Sequence, residues 1–241
     1  MRLEVFRHRP GKKSWSYRDL DRHQRKIAEY VRQGAEGVLI LSELKPVITL
    51  GRRAQKNPRE GGLVLSEYEY QSLGIDLVEA DRGGLATWHG PGQWVLFPVE
   101  SLEKLTGDSR GVKDAVCLLL GAAQDTIRAL GVESEIREGS QMGVWGKKGK
   151  LASVGVHVEQ GVLLHGVALN VFATDVSFQG LRPCGLDEPV SYLDWEWESP
   201  MPPGVRESVF ISVGQAFARA LARKLEGVIE VSKLDAHGIW S

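Results

Sequence analysis

Hydrophobic positions recur along the 241-residue chain with two periods. Leu20, Ile27, Ala28 and Val31 share one face of a 3.6-residue repeat. Ser16-Tyr17-Arg18-Asp19 before them has the form of a capping box, and Gly34 after them suits a left-handed closing residue. The spacing predicts a helix between these two signals. Residues 113–130, ended by Gly131, and 207–225, ended by Gly227, read the same way. Short apolar runs bounded by glycine or polar residues predict strands at 4–8, 37–41, 47–50, 75–78 and 94–99. From Val144 to Val171 apolar and small residues alternate, which predicts a hairpin turning near Glu159-Gln160-Gly161. The stretch 228–241 reads as a strand and a loose tail. Strands mixed with a few long helices, without regular βαβ alternation, favour an α+β fold. No repeat or linker divides the chain, so residues 1–241 are expected to form a single domain.

Composition narrows the function classes more than the fold. Thirty Lys+Arg against 31 Asp+Glu leaves a net charge of -1, without the basic excess of a general nucleic-acid binder. Two cysteines exclude a disulfide framework and fit a reducing compartment, the cytoplasm. Met1-Arg2-Leu3-Glu4-Val5 shows no signal-peptide pattern, and the apolar stretch 115–120 is too short to span a membrane. Glycine is the outlier, at 28 of 241 residues, or roughly 12% where ~7% is usual.

The glycines concentrate where chemistry is expected. Residues 82–93, Arg-Gly-Gly-Leu-Ala-Thr-Trp-His-Gly-Pro-Gly-Gln, hold four glycines and a proline, too many for a normal strand or helix. Arg82 and His89 there suggest a binding loop rather than a plain turn. In Arg182-Pro183-Cys184-Gly185 a thiol sits on a Pro/Gly turn, where it could be exposed enough to act as a nucleophile or simply be structural. Cys117, inside Val116-Cys117-Leu118-Leu119-Leu120, reads as an inert core residue. Lys147 and Lys148 read as a solvated turn, whereas Lys150 begins a run of small residues, Leu-Ala-Ser-Val-Gly, and could be held inward. His165-Gly166-Val167-Ala168-Leu169-Asn170 is a second small-residue strand with room for a ligand. Arg52, Arg53, Lys56 and Arg59 form a basic segment. A phosphate-binding P-loop fails because Leu follows Gly149-Lys150 and Val stands at 144, and no Cys/His cluster has zinc spacing.

Taken together, Arg82-Gly83-Gly84, His89 to Gln93, Lys150 to Gly155, His165 to Asn170 and Pro183 to Gly185 resemble, in that order, the lipoyl(octanoyl) transferases. Thr49-Leu50-Gly51-Arg52 also looks like the family's early segment, and Trp88 stands where the family has Tyr. The resemblance implies a biotin/lipoate protein ligase-like α+β domain, with mixed sheets flanked by helices. It implies Cys184 as the acyl-carrying nucleophile and Lys150 as its activating partner. It implies an acyl site lined by Arg82, Gly83, Gly84, Leu85, Ala86, Thr87, Trp88, His89, Ser153, Val154, Gly155, Gly166, Val167 and Ala168, with no metal and no cofactor. The implied donor is octanoyl-acyl carrier protein. The implied acceptors are lipoyl domains of 2-oxoacid dehydrogenase complexes and the glycine cleavage H protein, and the enzyme is expected to be a monomer.

The implied chemistry is sound on its own terms. A thiol of pKa ~8.5 is only ~3% thiolate at pH 7, and a two-unit depression needs about 2.7 kcal/mol, within reach of a nearby ammonium. Three other readings use the same residues: a ligase that activates lipoate with ATP, a non-catalytic carrier-binding module, and a Cys/His hydrolase with His89 or His165 as base.

Overall fold

The computed structural model describes residues 1–8, 15–182 and 189–225. The strands are β1 (Arg2–Phe6), β2 (Val38–Ser42), β3 (Val47–Leu50), β4 (Asp76–Glu79), β5 (Ala86–His89), β6 (Gln93–Ser101), β7 (Glu135–Arg137), β8 (Gly143–Trp145), β9 (Lys150–Glu159) and β10 (Val162–Asn170). The helices are α1 (Tyr17–Arg32), α2 (Arg52–Lys56), α3 (Glu67–Ser72), α4 (Leu102–Thr106), α5 (Val112–Ala129), α6 (Leu193–Glu196) and α7 (Arg206–Lys224).

Among the described residues the strands form a seven-stranded mixed sheet, β1-β2-β6-β10-β9-β8-β7, and a three-stranded one, β4-β3-β5. Pleating sorts side chains between two cores. Trp94 and Leu96 of β6 and Val167 and Leu169 of β10 point to α5 and α7. Val95, Phe97 and Val99 of β6 and Ala168 of β10 point to α1. A third core, with Ile48, Tyr70 and Trp88, lies under the small sheet. This is the α+β arrangement expected.

Local signals behave as the sequence predicts in several places. Ser16 Oγ accepts from the Asp19 N–H at 3.2 Å and Asp19 returns a bond to the Ser16 N–H at 3.1 Å, so the capping box forms at α1. Gln160 and Gly161 both have positive φ (48° and 81°), the two-residue turn that joins β9 and β10.

Other expectations need correction. The first strand is 2–6, not 4–8. The hairpin begins at Lys150; residues 143–145 are a separate strand with an irregularity at Val144/Trp145. The glycine-rich segment does contain a strand, β5: its glycines stand outside Ala86–His89, which pairs with β3. Cys117 is exposed rather than core. On α5 the inward positions include Ala115 and Leu119. Cys117 lies two residues, about 200°, from each, so the apolar run 116–120 wraps around the helix instead of marking its buried face. Gly227 and the expected strand at 228–241 lie outside the described residues.

Candidate active site

A narrow cleft with a cavity volume of about 60 Å³ opens on the α1 side of the large sheet. Its floor is Val95 and Phe97 of β6, Ser153 and Gly155 of β9 and Gly166 and Ala168 of β10, with the 82–87 segment as one wall and Tyr17 of α1 as another. Arg82 shapes that wall. Its guanidinium is buried and donates to the Thr49 hydroxyl and carbonyl (both 2.7 Å) and to the Gly83 and Leu85 carbonyls (both 2.9 Å). Its charge is therefore spent largely on closing the turn. A Cβ at Gly155 would lie 3.0 Å from Arg82 Cδ, so that glycine accommodates the arginine stem. Gly83 sends its N–H to the Val156 carbonyl (3.0 Å), tying the wall to β9.

Three rings stand in a row on the cleft's inner side. Tyr17 lies nearly parallel to His89 (2°) and His165 (7°), with ring centroids 6.2 Å apart in each case. His165 sits where the β10–β6 pairing skips residues 164–166, facing Pro98, which has no N–H to give. Its backbone is left-handed, φ 60°, and its N–H turns to Gln24 Oε1 (2.8 Å). A non-glycine residue held there is strained and held by its surroundings. Nε2 of His165 lies 2.6 Å from Asp81 Oδ1, and Nδ1 lies 3.2 Å from the Tyr17 hydroxyl. Asp81 also takes Arg25 Nη2 at 2.7 Å. Burial alone would raise the Asp81 carboxyl; the bonds from His165 and Arg25 overcome it and hold the group well below the usual carboxylate range. Burial, helped by the Arg82 charge, pushes His89 down to about 3, so its imidazole is neutral.

Lys150 begins β9 on the far side of this floor and is buried, with Nζ 4.8 Å from the Trp145 ring centroid. Gly143 makes room for it. A side chain there would meet Lys150 Cε at 3.1 Å and the Ala152 carbonyl at 2.5 Å. The Lys150 N–H donates to the Pro189 carbonyl (2.9 Å), and the Lys150 carbonyl accepts from the Ser191 N–H (3.0 Å). Cys184 lies outside the described residues.

The structure brings Arg82, Gly84, Leu85, Ala86, Thr87, His89, Ser153, Val154, Gly155, Gly166 and Ala168 to the cleft. It does not bring Gly83, Trp88 or Val167. Strand alternation explains the last two. Val167 points into the α5/α7 core, and Trp88 is buried under the small sheet against Phe178, away from the cleft. A Cβ at Gly166 would run into the Leu96 carbonyl, so this glycine serves strand approach as well as space. Tyr17, Val95, Phe97 and Met142 line the cleft without having been singled out. Tyr17 belongs to the capping-box segment, whose pattern marks the start of α1 and gives no sign of a ligand.

The lipoyl protein ligase A/B catalytic domain family matches residues 17–211. Relatives include an octanoyltransferase of Solibacter usitatus, 38% identical over 83% of this chain and 84% of that one. Another is an octanoyltransferase of Magnetococcus marinus, 36% identical over 74% and 78%. Among solved structures, lipoate-protein ligase A bound with ATP superposes with a TM-score of 0.67 at 16% identity, over 93% of this chain and 85% of that one, which shows a shared fold. The chain therefore belongs to the lipoyl protein ligase A/B catalytic domain family, and within it stands with the octanoyltransferases, enzymes that transfer an acyl group.

Proposed function

We propose that this chain moves an octanoyl group from octanoyl-acyl carrier protein to the acceptor lysine of a lipoyl domain, through a thioester on Cys184. The observation that carries the reading is the buried Lys150 with small-residue strands beside it and an apolar cleft on the same sheet. Pro189, five residues beyond Cys184 in the chain, accepts a hydrogen bond from the Lys150 N–H (2.9 Å).

The steps follow from the groups. Lys150 takes the Cys184 proton, and the thiolate, stabilised by the resulting ammonium, attacks the donor thioester carbonyl. The carrier thiolate leaves and takes that proton back from Lys150, which gives octanoyl-Cys184 and a neutral lysine. The acceptor ammonium then gives up a proton to Lys150, and its amine attacks the thioester. The amide forms as the cysteine thiolate leaves, and the amine's second proton goes to that thiolate, which restores the thiol. Val95, Phe97, Val154, Leu85 and Ala168 offer the acyl chain an apolar lining, with each buried methylene contributing ~0.8 kcal/mol. Arg53, Lys56 and Arg59 are exposed and carry no ion pair among the described residues, and the Arg53 N–H bonds the Gly84 carbonyl of the cleft wall (3.2 Å), a basic surface suited to an acidic carrier protein. Two cysteines and no long apolar helix among the described residues suit work in the cytoplasm.

A hydrolase with His89 as base fits poorly, because a ring pushed down to about 3 is a weak base near neutrality. An ATP-dependent ligase is separated by one assay. Octanoyl-carrier protein, enzyme and a lipoyl domain are mixed without ATP, and the domain is weighed. A gain of one octanoyl group supports the transferase reading; a gain only when free octanoate and ATP are supplied overturns it.

A further inference from the structure

The cleft histidine His89 is wired to two backbone carbonyls at the opposite end of the site. Asn170 lies on β10 with Nδ2 3.3 Å from the Lys150 carbonyl and 3.2 Å from the Ser191 carbonyl. Carbonyls only accept, so Asn170 must present its NH₂ to them and its Oδ1 in the other direction. That Oδ1 faces Gln93 Nε2 at 2.8 Å, and the same nitrogen lies 3.3 Å from the Trp88 carbonyl. Gln93 Oε1 is thereby turned to His89 Nδ1, 2.7 Å away. An amide oxygen there requires a donor, so the His89 proton resides on Nδ1. Each orientation follows from the one before, and the chain starts at groups whose roles are fixed.

Nε2 of His89 is then the ring's lone-pair atom, and it has no hydrogen-bond partner among the described residues. His89 lines the cleft. The titratable or charged groups around the ring are Tyr17 on α1, Arg82 on the loop and His165 on β10. None of them is in hydrogen-bond contact with Nε2. We propose that Gln93 and Asn170 are positioning residues, which hold His89 in the Nδ1–H tautomer so that Nε2 accepts an N–H of the incoming lysine amine. This substrate assignment rests on the amine transfer proposed above. An octanoyl chain offers no N–H, whereas the acceptor amine offers several. Burial and Arg82 also keep the ring neutral, as an acceptor must be. The same Asn170 ties down the start of β9 and the strand-like 190–191 segment, so one pair of amides sets both the histidine and the Lys150 backbone.

The test uses the intact chain labelled with ¹⁵N histidine. In the wild type, His89 should show a pyrrole-type shift on Nδ1 and a pyridine-type shift on Nε2 across neutral pH. The opposite assignment, or a charged ring at pH 7, overturns the proposal. Gln93→Glu replaces the amide oxygen with a carboxylate that accepts the same proton and stabilises the imidazolium. Its His89 titration should rise towards neutrality. Single-turnover transfer from pre-acylated enzyme to a lipoyl domain should fall tenfold or more below that pH and recover above it. A transfer profile that ignores the His89 titration overturns the amine-accepting role. If Gln93→Glu does not fold, the wild-type spectrum still decides the tautomer, independently of whether Cys184 carries the acyl group.

Discussion

Asp81→Ala removes two charge-assisted hydrogen bonds, to His165 Nε2 (2.6 Å) and Arg25 Nη2 (2.7 Å). The losses are unequal. Arg25 keeps Asp21 at 3.1 Å and Glu159 at 2.5 Å and is partly exposed, so its share is below about 1 kcal/mol. His165 is buried and has no second carboxylate at hydrogen-bond distance among the described residues, so its share is about 1.5–3 kcal/mol. The variant should lose about 2–3 kcal/mol, which for a chain of this size lowers Tm by roughly 4–12 °C. The pH dependence carries the sign. The folded Asp81 is depressed below its unfolded value of ~3.9, so its contribution is fully present above that pH and is lost as pH falls through the folded value. Denaturant unfolding of wild type and variant from pH 7 to pH 3 should show a gap that is constant down to about 4 and then narrows. A gap below 0.5 kcal/mol at pH 7 would refute the reasoning, and so would one that widens as pH falls.

Gly143→Ala places a Cβ against the Ala152 carbonyl and Lys150 Cε at φ 155°. It should cost about 1–3 kcal/mol and lower transfer more than donor binding, measured as kcat against KM. Ala168→Leu fills the cleft floor beside Val95 and Phe97 and should shift the donor preference to shorter acyl chains, read from kcat/KM across a chain-length series. An unchanged profile would mean that the chain lies elsewhere. Cys117→Ala, at an exposed position, should change stability by no more than about 0.5 kcal/mol by denaturant titration and leave transfer intact.

Where one local signal decides the structure, the sequence was legible. The Ser16/Asp19 capping box, Gly34, Gly131 and the Gln160-Gly161 turn each act within a few residues, and each is found as read. The cleft was legible as a set of segments because glycine, arginine and histidine seldom cluster without reason. What pattern could not give was facing. Trp88 and Val167 sit inside motifs whose neighbours line the cleft, yet a period of two sends their side chains to the opposite side. Cys117 failed for the related reason that an apolar run of five covers more than one helix face. The Asp81–His165–Tyr17 cluster joins residues 17, 81 and 165, and no local spacing announces such a contact.

The proposed transfer runs through a covalent octanoyl group on Cys184, formed with the help of Lys150. Intact mass spectrometry after brief incubation with octanoyl-carrier protein, with acceptor and ATP omitted, tests it directly. The wild type should gain one octanoyl group, mapped by fragmentation to Cys184 and released by hydroxylamine. Cys184→Ser should gain no thioester, and Lys150→Met should acquire the group more slowly near neutral pH and catch up as pH rises. An octanoyl group on Cys117, or full transfer to a lipoyl domain by Cys184→Ala, would contradict the account.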